Sequence, residues 1–312
     1  MHRRLILPRL VLLALAMTTS ACSRFEAQTS FEQSIPVTGT VDLSIETGSG
    51  QISVEPGDDT SVQVSAIVKV YATSETDAQA IADQLQAAPP VTIDGNTIHL
   101  GDLTPYAISA VGTDVSIHFT VKTPKATTLT MSTGSGDQQV SGLTGPVTAD
   151  LGSGDAEISE IEQKVTVSGG SGDTEITDCV DASVDVGSGN VSLTRLSGSM
   201  VLSIGSGNIS LTDITGSVTA DGGSGNITAS SGLSSGAVWK LEVASGDIIL
   251  NLPGDEDFYI SAATDSGTIV NLFPTIYTGS QNAHELTGEI GTDPDATVTL
   301  ITASGDISLL PQ

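Results

Sequence analysis

Eight short polar side chains recur beside glycines along this 312-residue chain: Asp137, Asp155, Asp173, Asn190, Asn208, Asn226, Asp247 and Asp306. The first six each close a Gly-Ser-Gly-Asp/Asn unit, and the glycines preceding them are 18, 18, 17, 18 and 18 residues apart. Carboxylates and amides brought into line at such spacing could do two kinds of chemistry. They could converge oxygens on a hard divalent cation, or act in pairs as acid and base on a glycosidic bond.

Neither chemistry fits the details. Calcium-binding rolls repeat Gly-Gly-x-Gly-x-Asp-x-apolar-x every nine residues. Gly169-Gly170-Ser171-Gly172-Asp173 comes near, but its Asp follows the last glycine directly and the period is double. A sugar hydrolase would need paired acids and aromatic platforms, yet aromatics make up only 3% of the chain. Glu157 and Glu175 are the one candidate pair, as neighbours a rung apart on an exposed strand face. Lys164, Arg195 and Lys240 fall at unrelated positions of their repeats. His99 and His118 lie on separate strand patterns with no ligand motif around them. The expectation is therefore a protein that is not an enzyme, with no cofactor and no dedicated metal site.

The same residues make better sense as parts of a frame. Counting each Asp or Asn as position one, apolar residues follow at positions two, four and seven, as in Val191, Leu193 and Leu196 or Ile209, Leu211 and Ile214. A second alternation precedes each Gly-Ser-Gly, as in Met200, Leu202 and Ile204. Eighteen residues thus hold two short strands and two corners, and a short period of this kind is the signature of a solenoid. The predicted fold is all-β: a parallel β-solenoid of about 18-residue two-strand coils, with a short α-helix in an N-terminal insertion. Glycine supplies the positive φ or close approach that a corner repeated on every rung demands. The eight Asp and Asn residues are then a structural corner ladder, bonding amides from rung to rung. Asn at three of the eight positions fits a need for a short hydrogen-bonding side chain more than for a charge.

Other elements follow from local pattern. Ser74 and Asp77 cap a helix whose Ala78, Ile81, Ala82 and Leu85 share one face, and Pro89-Pro90 ends it. Val91-Thr92-Ile93 and Thr97 to Leu100 form a hairpin across Asp94-Gly95-Asn96. Cys179 takes the slot held by Leu143, Ile161, Leu196 and Ile214 in other coils, so it reads as packing, and Trp239 as a core filler. Outward hydroxyl pairs Ser192/Thr194, Ser210/Thr212 and Thr228/Ser230 suit exposed strands. After Gly267 a break containing Pro274, Tyr277 and His284 precedes a last copy, Ser304-Gly305-Asp306-Ile307. Coils stacked rung on rung leave a terminal edge to be covered, and this break and the helix-bearing N-terminal part are the candidate caps.

The first residues belong to export. Arg3, Arg4 and Arg9 precede the apolar run Leu10 to Met17, a secretory signal over residues 1–21. Cys22, after Thr19-Ser20-Ala21, resembles the lipobox cysteine of bacterial lipoproteins, although Thr19 stands where that signal usually has Leu. The resemblance implies lipidation at Cys22 and anchoring to a membrane through an N-terminal lipid. Residues 22–34 read as a flexible tether, 35–127 as the N-terminal part of the repeat domain, and 128–312 as the regular solenoid. Seven basic residues against 37 acidic ones remain after the signal, a net charge of −30. Such a field repels nucleic acid and attracts divalent cations weakly.

Together, the Ser-Gly-Asp/Asn turns, the preceding strand, the Ser-x-x-Asp helix and the hairpin resemble a bacterial β-strand-repeat family known as "putative adhesin", a domain of unknown function. The resemblance spans about residues 37–311. It implies a parallel β-solenoid, often on envelope-anchored proteins, and no catalytic residues to transfer. The functional expectation is a non-catalytic lipoprotein on the exported side of the bacterial envelope, at the outer membrane or cell surface. Its role would be binding, adhesion or scaffolding toward a glycan, a wall polymer or an envelope protein. A sensory or regulatory protein engaging a membrane protein or wall polymer is the second reading, and a carbohydrate-active enzyme the third.

Overall fold

The computed structural model describes residues 24–106, 108 and 112–312; the signal segment and Cys22 lie outside them. From Val147 to Leu252 each coil is a strand of seven or eight residues, a glycine corner, and a second strand of four or five. Strands before the corner stack in parallel on one face, and strands after it stack on the other. Inward residues meet their own kind across rungs: Ala149, Val167, Val184 and Leu202 form one column. Ile158, Ile176, Leu193 and Leu211 form its counterpart on the opposite face. All eight are buried. Cys179 is buried in its predicted slot, and Trp239 is fully buried with its indole N–H donating to the Gly216 carbonyl at 2.9 Å.

The stacking order departs from the chain order at both ends. The last coil, Ala296–Ser304 with Ile307–Pro311, does not sit at the end of the rod. It lies between Val238–Ser245/Ile248–Leu252 on one side and Phe258–Ser266/Ile269–Asn271 on the other. The early coil Val41–Ser49/Ile52–Pro56 is enclosed likewise. It is held between Thr127–Ser135/Gln138–Ser141 and the pair Thr97–Leu100/Asp114–Thr123. The last coil of the chain and the early coil of 41–56 are thus each tucked inside the excursion that closes that end, while Phe25–Pro36 itself forms the outermost N-terminal strand. The division at residue 127 marks no spatial boundary, because the coil of 41–56 stacks directly on that of 127–141.

Each end is closed by antiparallel strands, which need only short connections. At the N-terminal end, Phe25–Pro36 pairs with Ser61–Ala72, which pairs with Asp114–Thr123. The helix Glu75–Ala87 packs on the first two of these, with Ala78, Ala82 and Leu85 buried and the Ser74 hydroxyl accepting from the Asp77 amide. This corrects the expectation of a flexible tether over residues 22–34: from Phe25 onward that segment is a strand. Its buried positions are Ala27, Phe31 and Ile35, while Thr29 and Gln33 occupy the half-buried slots between them. Polar residues at alternate inward positions erase the apolar period by which a strand is recognised. At the C-terminal end, Phe258–Ser266 pairs with Glu285–Ile290, which pairs with Thr275–Gln281. Phe273 closes the core against Phe258 in an edge-to-face contact at 5.7 Å. Among the described residues, no helix is long and apolar enough to cross a membrane.

Candidate functional site

The glycine corner sets the first site. Gly136, Gly154, Gly172, Gly189, Gly207 and Gly225 all have φ between +121° and +136°. Chain direction reverses there without a side chain. The next residue then points along the rod, and its Oδ1 accepts the backbone N–H of the equivalent residue one rung on. Asp137 accepts from Asp155 at 3.1 Å, Asp155 from Asp173 at 2.8 Å, and Asp173 from Asn190 at 2.7 Å. The series continues through Asn190, Asn208, Asn226 and Asp247 at 2.8–3.1 Å. It ends where Asp306 accepts the amide of Thr268 at 2.7 Å, in the same shuffled order as the coils.

All eight predicted ladder residues are therefore brought into one stack, and the stack explains the exchange of Asp and Asn. The required group is an acceptor, which both side chains own. The run Asn190–Asn208–Asn226 separates the acidic parts of the ladder, where neighbouring carboxylates would otherwise stand one strand spacing apart, about 4.8 Å. Asn208→Asp is therefore expected to fold with a change of no more than about 1 kcal/mol, whereas Asn208→Ala strands the Asn226 amide and costs about 1–2 kcal/mol. Urea unfolding of the two variants checks this.

The opposite corner carries four non-glycine residues in the left-handed region: Glu160, Asp178, Arg195 and Asp213, with φ of 54–57°. They stack at successive rungs, and the first three, Glu160, Asp178 and Arg195, line a shallow open groove of about 470 Å3 with Lys125 and Glu162. Asp178 and Arg195 form a two-pronged ion pair at 2.6 and 2.7 Å. That hydrogen-bonded guanidinium lowers the Asp178 carboxyl from its ordinary value, and the carboxylate raises Arg195 in turn. Because the folded-state value lies below the unfolded one, the pair stabilises the fold above the ordinary carboxylate range and loses its effect as pH falls through the lowered value. Asp178→Asn is expected to weaken the loss of melting temperature on acidification below about pH 4, more so at low salt. Thermal melts across pH at two salt concentrations measure it. Beside the pair, burial pushes the Cys179 thiol up to about 11, so it is an unreactive packing group at neutral pH.

The other sequence candidates are not assembled into a centre. His99 pairs with the sheet at Ser44, whereas His118 lies opposite Ile67 on the other face, where its Nδ1 accepts the Gln51 amide at 3.3 Å. Glu157 and Glu175 are direct register partners, exposed on a flat strand face, with Gln139 donating to Glu157 at 3.0 Å. Among the described residues no group of three His, Cys, Asp or Glu side chains could hold a metal ion.

Stacking reveals one pattern that reading along the chain missed. On the outer face of the longer strands, Ser132, Asp150, Ser168, Asp185, Ser203 and Asp221 occupy one column, alternating acid and hydroxyl over six rungs. Ser168 donates to Asp150. Acids on every second rung stand about 10 Å apart, near the screening length of physiological salt, so their mutual repulsion is modest. A fixed offset from each corner glycine carries this signal in the sequence. On the opposite face Thr177, Thr194, Thr212 and Ser230 form an unbroken hydroxyl column beside Ser192, Ser210 and Thr228. The exposed strand faces are thus long and periodic.

Comparison with known proteins places this architecture. No curated protein matches the chain. Among solved structures, a "putative cell adhesion protein" from Clostridium sporogenes aligns over 91% of this chain and 100% of its own, with 11% identity and a TM-score of 0.24. A "putative adhesin" from Bacteroides fragilis aligns over 90% and 97%, with 12% identity and a TM-score of 0.33. Residues 15–310 match the family described as Toastrack DUF4097, and the chain therefore belongs to that family of stacked-strand proteins.

Proposed function

We propose that this chain is a non-catalytic cell-envelope lipoprotein whose solenoid serves binding or adhesion on the exported side of the membrane. The observation that carries this reading is the ladder. The Asp and Asn residues repeated at the glycine corners have their Oδ1 atoms engaged by backbone amides of the next rung, so these regular polar residues build the rod. Flat strand faces and closed ends remain as the functional surface, and these suit an extended ligand such as a glycan or wall polymer. Anchoring through Cys22 would place the Phe25 end at the membrane, because that residue opens the strand closing the N-terminal edge.

Two experiments test the reading. Cells fed radiolabelled palmitate should label the wild-type protein, and Cys22→Ala should lose the label; labelled Cys22→Ala would remove the anchor. The purified chain should bind at least one wall polymer or surface glycan in a panel without altering it. Turnover of any member would overturn the non-enzymatic reading.

A further inference from the structure

The two ends of the rod are finished differently. At the N-terminal edge, the outermost strand Phe25–Pro36 carries Glu26 and Glu32, ends on a proline, and is packed by the helix. At the other end, the outermost strand Thr275–Gln281 pairs only with Glu285–Ile290 among the described strands. It has no charge and no proline within it, and Ile276 to Gly279 are exposed in succession. Residues 266–283 contain no charged side chain at all. Natural sheets blunt such edges with charge, proline, bulges or a covering element; this strand has a register shift between Tyr277 and Gln281 but none of the others, which leaves Thr275 to Tyr277 in regular register as an open template.

Exposed large apolar side chains lie on this edge strand and in the segment that leads into it. Leu272 and Ile276 are 61% and 63% exposed, with Val270 and Tyr277 exposed beside them. Tyr277 stands opposite Gly288 and Ile276 opposite Glu289, so the two apolar groups flank the strand on its two faces.

We infer that Thr275–Gln281 is a self-association edge, at which two copies of this chain join tip to tip by antiparallel pairing of this strand about a two-fold axis. The absence of charge admits a second copy at this place. Two chains of net charge −30 repel over most of their surfaces, and this uncharged tip lets them approach with acids no nearer than the adjoining strand, at Glu285 and Glu289. Symmetry requires that the patch complement itself, and an edge strand does so by pairing with its own copy in reverse. Pairing along one short edge strand buries little surface, the regime of weak, transient association. The far ends of the joined rods are the Phe25 ends, so two anchored copies could bridge opposed membranes. That bridging role rests on the adhesion reading above; the pairing itself does not.

Sedimentation velocity of the full chain in detergent, over a wide concentration range, tests the inference. A concentration-dependent dimer is expected, strengthened by added salt that screens the two anionic rods. Ile276→Lys and Tyr277→Lys should both be monomeric with unchanged melting curves. Hydrogen exchange should show new protection confined to 275–281 as the wild type dimerises. A wild type monomeric throughout, a dimer indifferent to both lysines, or protection elsewhere overturns the inference. If the chain stays monomeric yet binds a glycan, self-association fails while adhesion stands. If it dimerises through this edge but vesicles carrying it do not cluster, the pairing stands and the bridging role fails, while the glycan panel decides the adhesion reading separately.

Discussion

Removal of residues 296–312 should collapse the distal third of the rod rather than trim its end. The deleted coil contributes Val298, Leu300, Ile307 and Leu309, each fully buried, and its strands supply hydrogen bonds to neighbours on both sides. Burial of those side chains alone is worth on the order of 10 kcal/mol. In a stack where each rung is stabilised by its neighbours, loss of an interior rung also orphans everything beyond it. Residues 258–290 would be left with no partner except themselves. Hydrogen exchange of the truncated chain should show those residues, and the facing strand Val238–Ser245, exchanging at near-unfolded rates, while the coils around Val147 stay protected. As a control, replacement of residues 275–290 by a glycine-serine linker removes only the outermost strands and should leave the 238–252 coil protected. Equal protection in the truncated and intact chains would mean that the last coil is not intercalated.

A single methyl group at a corner should do comparable local damage. In Gly207→Ala the new Cβ would lie 1.8 Å from the carbonyl oxygen of Gly189 on the neighbouring rung, at a backbone φ of +136°. The backbone strain costs about 1–3 kcal/mol, and forcing the rungs apart in a packed core adds a similar amount. The expected loss is about 3–5 kcal/mol. It should split thermal unfolding into two transitions, because coupling between the halves passes through that interface. Gly39 supplies the contrast: its φ is +78°, but no atom lies within 4 Å of the Cβ position, so Gly39→Ala should cost about 1 kcal/mol from strain alone. If the two variants melted alike in a calorimeter, close approach between rungs would not be what the corner glycines serve.

The difference between those glycines shows how far the chain could be read without its fold. Gly-Ser-Gly-Asp/Asn identified the corner because the demand there is local: positive φ, no side chain, and an acceptor on the next residue. The apolar positions at two, four and seven identified the inward columns for the same reason, since strand alternation is a property of a few consecutive residues. Phe25–Pro36 escaped because Thr29 and Gln33 sit at inward slots, where half-burial beneath the helix tolerates polar groups. The acid and hydroxyl column Ser132 to Asp221 escaped because its members lie a full coil apart, and only parallel register makes them neighbours.

The repeat length, the two-strand coil, the corner ladder, the capped helix and the acidic surface are all determined by sequence alone, because each depends on spacing within some twenty residues. The order of the coils is not. Every coil offers the same corner and the same inward apolar pattern, so on local grounds any coil could stack on any other. The choice falls to long-range competition. The segment after Asn271 turns back as an antiparallel hairpin to close the end, and the chain re-enters to fill the gap that this excursion left. Tertiary structure alone therefore decided that the C-terminal coil lies inside the rod, that Phe25–Pro36 closes the opposite end, and that the distal tip is an uncharged strand paired on one side only.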